Sequence, residues 1–365
     1  MSNRYRFLNE RNFRHFCHGL TLDAKDMEVL DSAFVGLDGQ TSIPSQIVAH
    51  NQRHGYGPPV QFPGGQIIVT LERRGGPKGQ NLSLTHCVRH REPKKQAPAL
   101  HVLLRSWSLD IPQRVEIPLR YVMKGLPDIE GTYMVYLHVL TMEAGEEFVY
   151  YGITKRGWMK RFNEHMQHAM RDESPLRFHR TLRAGVAGRM HQLHGAIDGQ
   201  STESTFPHVM AANHHVVCAA GLSEDKALEV EEYLVEKYSF DKPVGLNMIP
   251  GGRAGIAYLH RLTGSFPARS LTVAEHRERV LGDYLTAHPR KGLPNPRIAE
   301  RWKDDEFAES IICSGARRLT RAQIAQIRET AGMGRSIREI TEIVGARNTG
   351  QVTRVIRGKT YRRIR

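Results

Sequence analysis

Long hydrophobic runs are missing from this chain. In 365 residues the apolar stretches are short, such as MVYL at 134–137. None approaches the roughly 20 apolar residues that a membrane-spanning helix needs. No membrane partner is therefore expected. The opening residues, MSNRYRFLNERNFRHF, carry charge from the start and have no apolar core, which speaks against a secretory leader. Cysteine is scarce and scattered: Cys17, Cys87, Cys218 and Cys313 form no CxxC pair. Neither a disulfide framework nor a zinc ribbon is indicated, and a reducing cytoplasm is the expected compartment. His86-Cys87 with His90, and His214-His215 near Cys218, lack a fourth ligand at metal-site spacing. Low-complexity tracts and internal repeats are also missing. What remains is a chain with 40% apolar and 25% charged residues. That composition can bury a sizeable core, and the length suits about two or three domains.

Acid is what the C-terminal end has little of. Lys plus Arg is 52 against 38 Asp plus Glu, a formal charge of +14. Residues 315–365 hold 13 basic and 3 acidic residues, so this tail carries +10 and the other 314 residues share +4. A concentrated basic tail points to a polyanion, most simply nucleic acid; the plain alternative is a solvated tail.

Residues 1–128 give weak signals. QIIVTLERRGG, ALHVLLRSW and RVEIPLRYV have strand character, so this region is expected to be β-rich. From 132 the pattern sharpens. TYMVYLHVL and FVYYGIT flank a Gly-containing turn, the pattern of a β-hairpin. Period two puts Met134, Tyr136 and His138 on one face, and Tyr150 with Gly152 on one face of the next strand. KRGWMKRFNEHMQHAM follows as a helix, with Arg161 and His165 four apart beside Trp158 and Phe162. SEDKALEVEEYLVEKY is a second helix, capped by Ser223 with acids in its first turn. Glu231 interrupts its apolar stripe of Ala227, Leu228, Leu234, Val235 and Tyr238. A carboxylate there needs a metal or a fixed cation; otherwise it sits at the stripe's edge and snorkels to water or pairs with an Arg.

Taken together, VYYGITKRGWMKRFNEH, ALEVEEYLVEKY and VGLN resemble the GIY-YIG nuclease family over about residues 131–252. The resemblance implies an α+β fold with a small mixed β-sheet flanked by helices. It also implies cleavage of phosphodiester bonds with one divalent metal, Mg²⁺ (or Mn²⁺). Tyr150 and Gly152 match the family's Tyr-x-Gly, Arg161, Phe162 and His165 its Arg-aromatic-x-x-His helix, Glu231 its metal ligand, and Asn247 its late Asn. SPLRFHRTL resembles the family's following helix. The first motif, Gly-Ile-Tyr, is not present verbatim; Tyr136 is the favoured first tyrosine and Tyr133 the reserve. AGVAGRMHQLHGAIDGQSTESTFPHVM looks like an insertion, and Lys155 is the nearest substitute for a Lys that some relatives carry after Tyr-x-Gly.

Roles follow from the chemistry of such a site. Arg161 would contact non-bridging phosphate oxygens. Tyr136 or Tyr150 would take a proton from water if neighbouring cations lower its pKa, and His165 would orient a tyrosine or share that role. In members of the family it resembles, the counterpart of Asn247 helps shape the site. The ordinary alternatives are sheet packing for the tyrosines, a surface cation for Arg161 and a satisfied core histidine for His165.

The end of the chain reads as three short helices, with Thr320 capping the first and Ser336 with Glu339 forming a capping box on the second. Ile324 and Ile327, then Ile337, Ile340 and Ile343, then Val352, Val355 and Ile356 are the expected core. The unit resembles the helix-turn-helix appended to some HNH and GIY-YIG endonucleases. Asn348, Thr349, Gln351, Thr353 and Arg354 would then face the major groove of double-stranded DNA. Arg357, Lys359, Arg362, Arg363 and Arg365 would contact phosphates.

The expected layout is an N-terminal region at 1–128, a nuclease domain at 129–255, a helical linker at 256–318 and a helix-turn-helix at 319–365. The expected activity is a metal-dependent DNA endonuclease of restriction, homing or mobile-element type. Alternatives are a DNA-binding regulator with an inactive nuclease fold and a structure-specific repair nuclease. One active site must reposition to cut both strands, which makes a homodimer an option.

Overall fold

The computed structural model describes residues 4–17, 24–57, 66–76, 79–90, 97–105, 111–197, 208–264, 271–315 and 317–364. The chain forms two compact units, Met1–Pro289 and Arg290–Arg365.

The first unit is built on a seven-stranded mixed sheet ordered β2-β1-β3-β4-β7-β5-β6. Its strands are β1 (Gln66–Gly76), β2 (Gly79–His90), β3 (Ala99–Arg105), β4 (Pro112–Pro118), β5 (Tyr133–Met142), β6 (Glu147–Thr154) and β7 (Met210–Leu222). The expected hairpin is present as β5–β6, with Tyr136 opposite Gly152 and His138 opposite Tyr150. β7 lies antiparallel on the other side of β5 and parallel to β4. The N-terminal strands and the hairpin thus share one sheet, and the expected boundary at 128/129 falls inside a single unit.

The N-terminal region is only half β. Three helices precede the strands: α1 (Glu10–Phe16), α2 (Ala24–Thr41) and α3 (Ile43–His54). They were hidden for a physical reason. The buried stripe of α2 is Met27, Leu30, Asp31, Phe34 and Leu37, so an acid breaks it. Asp31 belongs there because its carboxylate accepts the backbone amides of Arg6, Phe7 and Leu8 at 2.7–2.8 Å, which offsets its desolvation.

Helices α4 (Trp158–Met170) and α5 (Arg177–Ile197) pack on the sheet face that carries Tyr136; α6 (Glu224–Tyr238) packs on the face that carries Val135 and Ile153. The first half of the expected insertion is the continuation of α5; residues 198–207 lie outside the described residues. Ser223 caps α6 as expected, accepting the amide of Lys226. Helices α7 (Gly252–Thr263) and α8 (Ala274–Ala287) complete this unit. Helices α7 and α8, within the stretch expected as a linker, fall in the first unit, and α8 packs on β6.

The second unit contains α9 (Pro296–Arg301), α10 (Asp305–Cys313), α11 (Arg321–Gly332), α12 (Ile337–Val344) and α13 (Thr349–Ile356). Capping boxes at Thr320 and Ser336 are formed. The core comprises Leu319, Ile324, Ile327, Ile340, Val344, Val352, Val355 and Ile364. Ile337, Ile343 and Ile356, expected inside, are exposed at 40–49%. An eight-residue helix can turn only one edge inward, and Ile340 with Val344 takes that edge in α12. No helix among the described residues is long and apolar enough to cross a membrane.

The capping box predicts that Ser336→Ala destabilises α12 by about 1 kcal/mol. Amide hydrogen exchange across 337–344 should speed up accordingly, with that of α6 unchanged.

Candidate active site

The hairpin sets the first part of the site. A Cβ on Gly152 would lie 2.5 Å from the Tyr136 hydroxyl. The glycine lets the Tyr136 ring cross the neighbouring strand, which explains Tyr-x-Gly at this position. Tyr136 is 1% exposed, and its hydroxyl is 3.2 Å from His165 Nε2. Tyr133, the reserve, is elsewhere: its hydroxyl donates to Glu224 at 2.6 Å, and the Lys155 ammonium lies over its ring.

A relay continues from His165. Its Nδ1 is 2.9 Å from His179 Nε2, and His179 Nδ1 is 2.8 Å from Ser174 Oγ. Burial pushes the His165 imidazole well below its usual range, with the Arg161 charge adding to this. Burial likewise lowers His179, to about 4, against an opposing pull from Glu278. Both rings are neutral at pH 7, and each offers one donor and one acceptor. One consistent direction has Tyr136 donating to His165, His165 to His179, and His179 to half-buried Ser174. Such a chain can carry a proton from the sheet towards the surface.

Among the described residues Arg161 is the largest fully buried side chain, 1% exposed. It is not a surface cation. Its guanidinium pairs with Glu278 of α8, and its Nη1 donates to Glu164 at 2.9 Å. Burial works against its charge, but Glu278 outweighs this and holds the guanidinium well above its usual range. Tyr150 donates to the other oxygen of Glu278 at 2.8 Å and stacks on Phe178. Both tyrosines are held above their usual range. For Tyr136 burial dominates, Arg161 pulls down, and Glu278 and Glu275 push up. For Tyr150 burial leads and Glu278 adds to it. The condition that cations lower a tyrosine pKa is therefore not met here, because the carboxylates of α8 and burial outweigh Arg161.

Glu231 is buried, as its place in the stripe suggested, and it is paired rather than snorkelling. Arg277 Nη2 lies 2.9 Å and 3.1 Å from its two oxygens, and the Gly252 amide donates to it at 3.0 Å. The divalent ion implied by the family resemblance does not fit on Glu231 while Arg277 is there, since a guanidinium already straddles both oxygens. A cavity of about 50 Å³ joins Glu231, Asn247, Tyr150, Arg277 and Glu278.

Asn247 plays a backbone's part. Its side chain accepts from the Tyr151 amide at 3.0 Å and donates to the Tyr151 carbonyl at 2.8 Å. It thereby pins β6, and with it Tyr150. Gly245 is required beside it, because a Cβ there would collide with the Ser239 carbonyl.

His165, His179 and Glu278 lie close enough to share an ion, with their nearest atoms within 4.8 Å of one another. The Glu278 oxygen nearest His165 Nδ1, at 3.8 Å, is also the one paired with Arg161. His179, Ser174, Arg277 and Glu278 were missed in the sequence. Arg277 had the same signal as Glu231: a charge between Ala274 and Leu281 on the buried face of its helix.

In the second unit Asn348, Thr349, Arg354, Arg357, Lys359, Arg362 and Arg363 are exposed. Asn348 also caps α13, accepting the Gln351 amide at 2.9 Å. Gln351 is committed within the unit, accepting from the Arg347 amide and donating to the Arg317 carbonyl. Thr353 is half-buried and its hydroxyl donates to the Thr349 carbonyl. Arg363 pairs with Asp305 at 3.0 Å. Arg365 lies outside the described residues. Comparisons with protein families, with characterised proteins and with solved structures gave no match.

Gly152→Ala should cost about 1–3 kcal/mol by overpacking against Tyr136, read as a lower urea midpoint. Acid should also destabilise the first unit. Burial lowers His215 to about 3, with His214 adding to it, against about 6.5 when unfolded. Between these values the unfolded chain binds the extra proton, so stability falls as pH drops below about 6.5. His215→Phe should make the dependence of the urea midpoint on pH shallower by close to one proton.

Proposed function

We propose that this chain is a DNA endonuclease that hydrolyses phosphodiester bonds with the Tyr136–Arg161–His165 constellation. The observation that carries the reading is a fully buried arginine whose partner Glu278 also accepts from the Tyr150 hydroxyl, close to Tyr136 and a neutral histidine relay that leads outwards. A buried guanidinium with its own carboxylate partner is a slot for an oxyanion. In the reaction, water adds to phosphorus as the bond to the leaving oxygen breaks, and a proton passes to that oxygen. Arg161 would bind the non-bridging oxygens, Tyr136 would hold the proton at its hydroxyl, and His165 and His179 would carry charge relayed from it. Tyr150 would position the phosphate opposite, and Asn247 would keep β6 in register. The resemblance assigns Glu231 to Mg²⁺ or Mn²⁺. No step is routed through that ion, since Arg277 occupies Glu231.

The second unit supplies affinity in this reading. Double-stranded DNA is the partner that its +10 tail and exposed Arg354, Arg357 and Lys359 suit. Thr349 and Arg354 are the free groups on α13 for base edges, whereas Gln351 is spent on the backbone. A homodimer would let two sites meet one duplex.

The test is cleavage of supercoiled plasmid in Mg²⁺. Wild type should nick or linearise it, and direct linearisation would favour the homodimer. Tyr136→Phe should lose about 10²–10⁴-fold in rate, with gel-shift binding retained. A Tyr136→Phe protein that cuts at the wild-type rate would sink the reading. One observation favours a second reading, a DNA-binding regulator with an inactive nuclease fold: Glu231 is already neutralised. Binding of duplex without cleavage of linear, forked or flapped DNA would support it.

A further inference from the structure

Ser174 ends the histidine relay, and the nuclease reading gives it no task. It lies in the loop between α4 and α5, half-buried, with its Oγ 2.8 Å from Nδ1 of buried His179. His179 Nε2 is 2.9 Å from His165 Nδ1, and an oxygen of Glu278 lies within 4.8 Å of nitrogens on both rings. A hydroxyl held on an imidazole, with that imidazole oriented from its far side, is the arrangement that makes an alcohol nucleophilic. We propose that Ser174 is the nucleophile of a second, acyl-transfer site, with His179 as its general base, and that this site hydrolyses small, uncharged carboxylic esters. The proposal does not rest on the nuclease reading, since neither DNA nor a metal enters it.

The hydrogen-bond directions suit this role. The Leu176 amide donates to Ser174 Oγ at 3.4 Å, which leaves the hydroxyl hydrogen for His179. Each neutral ring offers one acceptor and one donor. Ser174 can then donate to His179 Nδ1, His179 Nε2 to His165 Nδ1, and His165 Nε2 to the Tyr136 oxygen. Burial makes His179 a weak base at rest, but the Glu278 charge acts in the opposite sense. It stabilises the imidazolium as the proton arrives, which is the part an acid plays beside a catalytic histidine.

The backbone holds the serine in place. Glu173 takes a left-handed φ of 47° without being glycine, and Pro175 restricts Ser174 to extended backbone from the other side. The Ser174 amide donates to the His168 carbonyl at 3.2 Å. The hydroxyl is therefore positioned before any ligand arrives. Left-handed residues other than glycine collect at functional sites, where the surrounding structure sustains the strain.

Ser174, His179 and Arg161 line one cavity of about 230 Å³ with Pro175 and Leu176. Its volume equals roughly eight waters at about 30 Å³ each, room for a short acyl group but not for a fatty chain. The charges in its lining are Arg161 and Arg279 against Glu275, Glu278 and Asp283, with no excess of cation, which suits an uncharged ester. Arg161 Nε is buried and finds no hydrogen-bond acceptor among the described residues. It is the donor available to the ester carbonyl oxygen as that oxygen gains negative charge. In the first step Ser174 Oγ bonds to the carbonyl carbon and its proton passes to His179 Nδ1. The bond to the alcohol then breaks, and the alcohol leaves with that proton. Water next adds to the acyl group on Ser174 in the same way, releasing the acid and restoring the hydroxyl.

The experiment uses the full chain and a fluorophosphonate, which phosphonylates activated serines by expelling fluoride. Wild type should take up the phosphonyl group on Ser174, located by peptide mass spectrometry, and the urea-unfolded chain should not. His179→Gln should slow this labelling by about 10²–10⁴-fold, and Ser174→Ala should abolish it. With p-nitrophenyl acetate, wild type should release a burst of p-nitrophenolate equal to the amount of protein, with the acetyl group found on Ser174. Wild-type protein that is not labelled, or is labelled at residues other than Ser174, overturns the proposal. So does a folded His179→Gln protein labelled at the wild-type rate. Phosphonylation of Ser174 without an acetyl intermediate or ester turnover overturns the assignment to esters. If His179→Gln does not fold, the wild-type labelling and burst decide.

Discussion

Burying the Arg161 guanidinium constrains everything around it. An uncompensated cation at that depth would cost several kcal/mol, so the fold must bring acids to it from elsewhere. Glu164 comes from the same helix, while Glu278 comes from a helix more than a hundred residues later. The compensation by α8 ties that helix to the first unit. It also explains why Arg277 is available to Glu231, the second charge that needs a partner. Two buried charges of opposite sign on α4 and α6 are answered by two on α8, in reverse.

The rest of the site follows from close backbone approach. Gly152 admits the Tyr136 ring across the hairpin, and this brings the hydroxyl within reach of His165. Gly245 lets the 244–247 segment reach the β6 backbone, where the Asn247 amide continues the ladder with its side chain. Neutral histidines lie where the sheet meets α4 and α5: His138 is 2.8 Å from His215, and His165 is 2.9 Å from His179. Burial keeps them uncharged, so they do not compete with Arg161 for the nearby carboxylates. The second unit is basic, has its own core and offers exposed arginines.

What could be read along the chain was local. The β5–β6 hairpin, the Arg161 helix, the Ser223 cap and the capping boxes at Thr320 and Ser336 depend on neighbours within a few residues, and period and cap chemistry express them directly. Glu231 could also be read as a buried acid in want of a cation, because its stripe is periodic. The N-terminal helices could not be read, since Asp31 breaks the pattern of α2 for the sake of three distant amides. The expected burial of Ile337, Ile343 and Ile356 failed because periodicity names a face but not how wide a face short helices can cover.

The sequence by itself determined the β5–β6 hairpin, the Arg161 and Glu231 helices and the capped C-terminal helices, the candidate residues Tyr136, Tyr150, Arg161, His165, Glu231 and Asn247, and the basic character of the last unit. Only the tertiary structure decided which charges meet. That Arg277 lies on Glu231, and that Glu278 lies between Arg161 and Tyr150, depends on where α8 docks. Electrostatic pairing acts through space at a few ångströms, and no spacing along the chain records which distant helix will come that close.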